Sequence, residues 1–378
     1  MIKIEYPKDK EKKEFEKDYL EVFNLDEDKW NDLKESMKCE TRKLLTLKKV
    51  INAKDLLTLP FADLLDIYED FIKHKYDLKV DNKTNKNNYQ EIFDYDNLQP
   101  KIAKFFMNNS KCLNLKTCYF CNIDYINAFD TNFDKIEYNT IYDILNSKNY
   151  RHLLLLQGIS EKIAKTIEQR TELINNEDEL KKIKVSGKSL GKNAIKIIDN
   201  NKNISKIDFH EKANHFTLDH FLPKAKCPLL ALSLYNFVPS CYACNSKFKK
   251  EEELGDTRLS PTSKDFTVDT DIKFKFFLEG DLSDKKFKLE LTHSDISKEY
   301  VNTFKLKGRY AIHQDIAEEI IEKQENYSES QIKEMADILK MSSEQIKKDI
   351  FGKELFEGDV QEKSFTKLKR DIFNQGIL

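Results

Sequence analysis

The sequence has no long apolar run. Its richest apolar stretch, Pro228 to Pro239, is interrupted by Ser233 and Asn236 and covers 12 residues. A membrane-spanning helix needs about 20 apolar residues. Nine glycines and seven prolines in 378 residues exclude a collagen-like chain. Seven cysteines are too few for a disulfide scaffold, and the number is odd. Met1-Ile2-Lys3 leads into a run of Lys and Glu without the apolar core of a secretory signal, so a cytoplasmic protein is expected. A nucleotide-binding loop is also missing. Gly187-Lys188-Ser189 carries part of that motif, but Lys182 stands where its first glycine belongs, and no apolar strand precedes it.

What is present is a globular composition, with 39% hydrophobic and 34% charged residues. The length suits two or three domains. Net charge is −2, so the whole chain is not a basic coat for nucleic acid. The charge is uneven, however. From Lys181 to Lys250, 14 lysines face only Asp199, Asp208, Glu211 and Asp219, a local excess of +10 that leaves −12 elsewhere. That asymmetry suggests one face meant for a polyanion.

Residues 1–110 read as a helical region. Phe61, Leu64, Leu65, Tyr68, Phe71 and Ile72 form a helical stripe opened by Pro60. Asp81 to Asn88 is polar and reads as a loop. Leu153 to Ser160, followed by Ile163, Ala164 and Ile167, predicts a helix, a turn at Gly158 and a second helix capped by Ser160. This resembles a helix-hairpin-helix, whose glycine turn would hold a DNA phosphate. A plain packing hairpin fits the segment equally well, because Ser160 replaces the second glycine. Lys181 to Lys206 reads as a mobile basic connector. Ile272, Phe274 and Phe276, followed by Phe287, Leu289 and Leu291, alternate as a C-terminal β-hairpin with Gly280 to Asp284 as its loop. Ser328 with Gln331 and Ser342 with Gln345 have capping-box spacing, and Gly352 is a helix stop.

The chemistry concentrates between Asp219 and Lys250. An adjacent carboxylate and imidazole, Asp219-His220, can bind a hard cation and take a proton from water. Asn245 offers a second oxygen suited to Mg²⁺. Lys224, Lys226, Lys247, Lys249 and Lys250 supply positive charge for a phosphate backbone. Cys118/Cys121 and Cys241/Cys244 are two C-x-x-C pairs, whose four thiolates would close a tetrahedral structural Zn²⁺ site. Cys39, Cys112 and Cys227 read as core or surface thiols. His210 and His215 lie near the motif and read as structural or surface residues.

The segment Asp219-His220-Phe221-Leu222-Pro223-Lys224, then Tyr235-Asn236-Phe237-Val238-Pro239, then Cys241-Tyr242-Ala243-Cys244-Asn245, resembles the HNH nuclease family. That resemblance implies an α+β protein, mostly helical around a ββα-metal, treble-clef-like core, with a zinc-stabilised nuclease domain at 111–260. The helix-hairpin-helix-like segment would be inserted at about 150–206, and a hairpin and helical region would fill 261–378. It further implies that His220 is the general base, that Asp219 and Asn245 bind one catalytic Mg²⁺ or Mn²⁺, and that Asn236 holds the loop. The implied substrate is nucleic acid, most naturally double-stranded DNA. The implied setting is antiphage defence or restriction, where some proteins of this kind are paired with an ATPase that controls the nuclease; the chain carries no ATPase motif of its own. The competing reading is a non-cleaving, zinc-stabilised nucleic-acid-binding or adaptor module.

Overall fold

A computed structural model describes residues 1–74, 88–132, 135–136, 138–154, 156–201, 207–208, 211–278, 287–356 and 363–376. The protein is α+β and mostly helical, and among the described residues its strands pair two at a time. Among the described residues, no helix is long and apolar enough to cross a membrane.

The chain divides into two compact units. One joins Met1–Ala128 to Asn214–Leu378, and the other is the insertion Phe129–Ala213. The helix-hairpin-helix-like segment at 150–206 falls inside this insertion, and the flanking helical regions belong to the same unit as the motif-bearing hairpin.

In the first unit, helix Phe61–Lys73 follows the predicted stripe. Phe61, Leu64, Leu65, Tyr68 and Phe71 are buried, whereas Ile72 lies at the margin and stays partly exposed. Pro60 precedes the first turn with φ −56°, already suited to helix entry. The loop expected at Asp81 to Asn88 lies outside the described residues except for Asn88, which opens helix Asn88–Ile92.

The hairpin that carries the motif is short. Strand Thr217–His220 runs antiparallel to Phe237–Ser240, with Asp219 opposite Val238 and His220 opposite Phe237. A wide helical turn, Ala243–Lys249, follows directly; its i→i+5 character shows in the bond from Lys250 N–H to Asn245 O, 2.9 Å. The order is strand, strand, helical turn. Between the strands, the apolar run from Pro228 is folded into buried 3₁₀ turns.

The C-terminal hairpin pairs Lys273–Leu278 with Phe287–Thr292, so that Phe276 faces Leu289 and Phe274 faces Leu291. Its connecting loop lies outside the described residues. Helix Thr366–Gln375 closes one edge of this hairpin. Phe276 donates its N–H to Gln375 Oε1 (2.9 Å), and Asp371 accepts the Phe274 N–H (3.0 Å). Ser328 and Gln331 form both halves of a capping box. Ser342 caps its helix as well, but the Gln345 side chain turns to Asp349 instead. Gly352, at φ +99°, ends helix Ser343–Phe351.

The insertion has its own apolar core, including Ile144, Leu156, Ala164, Leu180 and Ile197. Helix Tyr150–Leu153 meets helix Glu161–Glu168 across a turn in which Gly158 takes φ +90°, and Ser160 accepts the Ile163 N–H. Lys181–Asn201 corrects the expectation of a mobile connector. It contains the end of helix Glu177–Lys182, a tight hairpin at Lys184–Val185 and Lys188–Ser189, and helix Lys192–Asn200. The lysines hide an apolar stripe of Leu180, Ile183, Leu190, Ala194 and Ile197, all buried. Residues 202–206 lie outside the described residues.

Candidate functional site

Asp219 and His220 end the first strand of the short hairpin, and Asn245 begins to turn just after the second. All three line one cleft of about 250 Å³, together with Tyr95, Leu218, Pro223, Lys224, Ala225, Lys250 and Glu251. A separation of 26 residues between Asp219 and Asn245 is closed because the antiparallel pairing returns the chain to its starting end.

His220 is held on several sides. Its Nε2 lies 2.9 Å from the Ala231 carbonyl oxygen, which makes that nitrogen the protonated donor and leaves Nδ1 as the basic one. Tyr95 meets the imidazole edge-on at 4.5 Å, and Phe237 lies tilted at 4.8 Å. Burial lowers the imidazole to about 3, so the ring is neutral near pH 7.

Asp219 is almost wholly buried, and burial pushes its carboxyl up against the opposing pull of Lys249. The Lys249 ammonium stands 3.1 Å from Asp219 Oδ2 as an ion pair, but out of line for a hydrogen bond. Oδ2 therefore has no hydrogen-bond donor, and the contact to Oδ1 is long at 3.5 Å. Asp219 and the Asn245 amide bring two oxygen groups of the kind that hold a hard divalent ion to one cleft, with the Lys249 ammonium already balancing the carboxylate.

Asn236 is fully buried and points away from chemistry. Its Oδ1 accepts the Leu222 N–H (2.7 Å), and its Nδ2 donates to the carbonyls of Leu222 (3.0 Å) and Leu230 (3.2 Å). The Asn236 carbonyl also accepts the Phe221 N–H (2.9 Å). This one side chain ties together both ends of the segment that presents the Ala231 carbonyl to His220.

The two cysteine pairs meet across a gap of 119 residues. The sulfurs of Cys118, Cys121, Cys241 and Cys244 all lie within 4.8 Å of one another and are buried. They can hold a metal ion such as zinc. Backbone amides point at them: Cys241 N–H to Cys118 Sγ (3.3 Å), Cys244 N–H to Cys241 Sγ (3.4 Å) and Ile123 N–H to Cys121 Sγ (3.4 Å). Burial by itself would raise the Cys121 thiol. The neighbouring cysteines and the Arg309 guanidinium outweigh burial and hold it well below its ordinary value, while burial raises Cys244. Four sulfurs this close ionise together only around a cation.

Arg309 is a residue that no spacing in the sequence revealed. It donates to Cys244 Sγ (3.2 Å), Cys121 Sγ (3.3 Å) and Asp124 Oδ2 (3.2 Å). Asn122, at φ +54°, completes the first knuckle and caps the C-terminal helix by accepting the Lys367 N–H (3.0 Å). Tyr300 and Tyr310 donate to the carbonyls of Phe120 (2.9 Å) and Cys121 (2.5 Å). The C-terminal region therefore braces the cysteine cluster.

The five lysines separate into different environments. Lys249 corrects the expectation of a nucleic-acid contact, since its side chain is fully buried and committed to Asp219 and the His220 carbonyl (2.8 Å). Lys224 pairs with Asp96 (2.6 Å) and lies 4.5 Å from the Tyr95 ring centre, and Lys226 pairs with Glu253 (2.5 Å). Lys247 and Lys250 are exposed, and Lys250 lines the cleft. Gly158 lies in the inserted unit at an exposed turn. His215 is exposed, and His210 lies outside the described residues. Cys39 and Cys112 are exposed, and Cys227 is buried. Tyr95 and Glu251 are cleft residues that sequence reasoning missed; neither lies in the motif's spacing.

Compared with known proteins, the chain matches no family model, no curated protein and no solved structure.

Proposed function

We propose that this protein is a metal-dependent endonuclease of the HNH type that hydrolyses phosphodiester bonds, with double-stranded DNA as its substrate. The observation that carries the reading is the convergence of Asp219, His220 and Asn245 on one cleft, with His220 held by Ala231 so that Nδ1 is the free base. In this mechanism His220 Nδ1, neutral near pH 7 but made a weaker base than a solvated imidazole by burial, takes the proton from the attacking water. Asp219 and the Asn245 carbonyl would hold one Mg²⁺ or Mn²⁺, which when bound stabilises charge on the phosphate and the leaving oxygen. Asn236 keeps the Ala231 turn in place. Lys250, and Lys224 once released from Asp96, attract the backbone.

The four cysteines hold Zn²⁺ as a structural ion, because a closed set of four thiolates leaves no position for substrate. Cytoplasmic antiphage defence or restriction, with control by a partner ATPase, remains the setting that the sequence resemblance implies. A second reading, a non-cleaving zinc module, draws support from the Asp219–Lys249 pair, which balances the carboxylate without a divalent ion.

A plasmid-nicking assay separates the two. Supercoiled DNA incubated with the protein and Mg²⁺ or Mn²⁺ is converted to nicked or linear forms, and EDTA stops the conversion. Intact supercoiled DNA under every divalent ion tried establishes the non-cleaving module instead.

A further inference from the structure

We propose that Lys249 is a positioning residue of the cleft, holding the Asp219 carboxylate and the His220 main chain in one fixed arrangement. The inference rests on the nuclease reading and assigns a part of that site which the motif does not name.

The helical turn Ala243–Lys249 serves the cleft twice. Asn245, near its start, lines the cleft, and Lys249, four residues on, reaches Asp219 and the His220 carbonyl at the end of the first strand. Its ammonium is fully buried. It reaches Asp219 Oδ2 at 3.1 Å and the His220 carbonyl oxygen at 2.8 Å, so one cation grips two consecutive residues, one by its side chain and one by its backbone. The Phe221 ring centre lies 5.8 Å from the same nitrogen, on the next residue of the chain.

Burying an ammonium is costly unless a partner and hydrogen bonds satisfy it. A lysine with no role at this position would turn outward, as Lys247 and Lys250 do within the same stretch. A carboxylate has about four lone-pair positions, and Lys249 engages it from one direction, leaving others for a cation. The ammonium also neutralises the carboxylate before any metal arrives. It thereby sets both the orientation of Asp219 and the strength with which a divalent ion is drawn to it. Because water does not reach the pair, added salt screens it little.

The test uses the whole 378-residue chain loaded with zinc. Lys249→Met removes both contacts at similar length. The cleavage rate at saturating Mg²⁺ falls at least tenfold, and the Mg²⁺ concentration for half-maximal rate shifts at least threefold, while zinc content is unchanged. Lys249→Gln, which retains an N–H for the His220 carbonyl but no charge, recovers part of the rate and leaves the Mg²⁺ midpoint displaced. A merely structural lysine would lower the melting temperature without moving that midpoint. Wild-type rate and midpoint in Lys249→Met overturn the proposal.

Should Lys249→Met fail to fold, Asp219→Asn is added to it, converting the ion pair to a neutral one. Recovered melting supports the pairing, and a double variant no more stable than the single overturns it. Wild-type protein that cuts nothing sinks the nuclease reading and this one with it; a cutting wild type beside an equally active Lys249→Met sinks this one alone.

Discussion

The Nε2 atom of His220 lies 2.9 Å from the carbonyl oxygen of Ala231, a residue 11 positions downstream. This contact decides which ring nitrogen carries the proton and which remains basic. It depends on the buried turn between the two short strands, and hence on Asn236, which binds Leu222 and Leu230 on either side. Replacing His220 by Ala is expected to lower cleavage by about 10²–10⁴-fold, the usual contribution of a general base. Zinc content and melting stay near wild type. Nicking assays beside metal analysis check this, and full activity in the variant removes His220 from the mechanism.

Asn236→Ala acts on the same site from behind. It strands the buried Leu222 N–H and the Leu222 carbonyl, while the Leu230 carbonyl keeps the Ser233 N–H (3.3 Å). Each unpaired buried group costs about 1–3 kcal/mol. The expected loss is about 2 kcal/mol or more in urea unfolding, together with loss of cleavage because the Ala231 carbonyl is no longer held toward His220. A variant as stable as wild type contradicts the assigned role.

Cys241→Ser removes one of four clustered thiols that meet across the insertion. Bound zinc should fall from one ion per chain toward none, and melting should drop, because metal binding is part of the folding free energy. A strong chelator should reproduce the loss in the unmodified protein. Unchanged metal content would show that the cluster is not a zinc site.

Arg309 donates to Cys121 and Cys244 while pairing with Asp124. Arg309→Met should weaken metal retention about 10–100-fold, as loss of a ligand-orienting partner does. Competition with a coloured chelator measures this. A retention equal to wild type would mean that the guanidinium stabilises only the protein around the cluster.

Lys247 and Lys250 are exposed and have no ion pair among the described residues, whereas Lys226 is engaged by Glu253. Replacing Lys247 or Lys250 by Ala should reduce the slope of log affinity against log salt by about 1 each if both meet phosphates. Lys226→Ala should change it less. Binding titrations between low and moderate salt decide, and wild-type slopes in the Lys247 and Lys250 variants would remove both lysines from the phosphate contacts.

The secondary structure that was legible in the sequence came from periodicity. The stripe of Phe61, Leu64, Leu65, Tyr68 and Phe71 and the alternation of Phe274, Phe276, Leu289 and Leu291 both took the predicted form, because burial of one face sets helix and strand alike. The basic stretch from Lys181 reads as a connector because its lysines are interleaved with the apolar residues that fold it. Leu180, Ile183, Leu190, Ala194 and Ile197 need only meet on one side to make a core.

Sequence alone determined the chemical inventory: a carboxylate beside an imidazole, an amide 26 residues later, and two cysteine pairs. It did so because local spacing restricts which groups one hairpin and one helical turn can present. Only the tertiary structure decided that the cysteine pairs meet, that Arg309 reaches them, and that Lys249 pairs with Asp219 rather than lying in solvent. Those outcomes depend on long-range packing and on the cost of burying charge without a partner, and no local pattern encodes either.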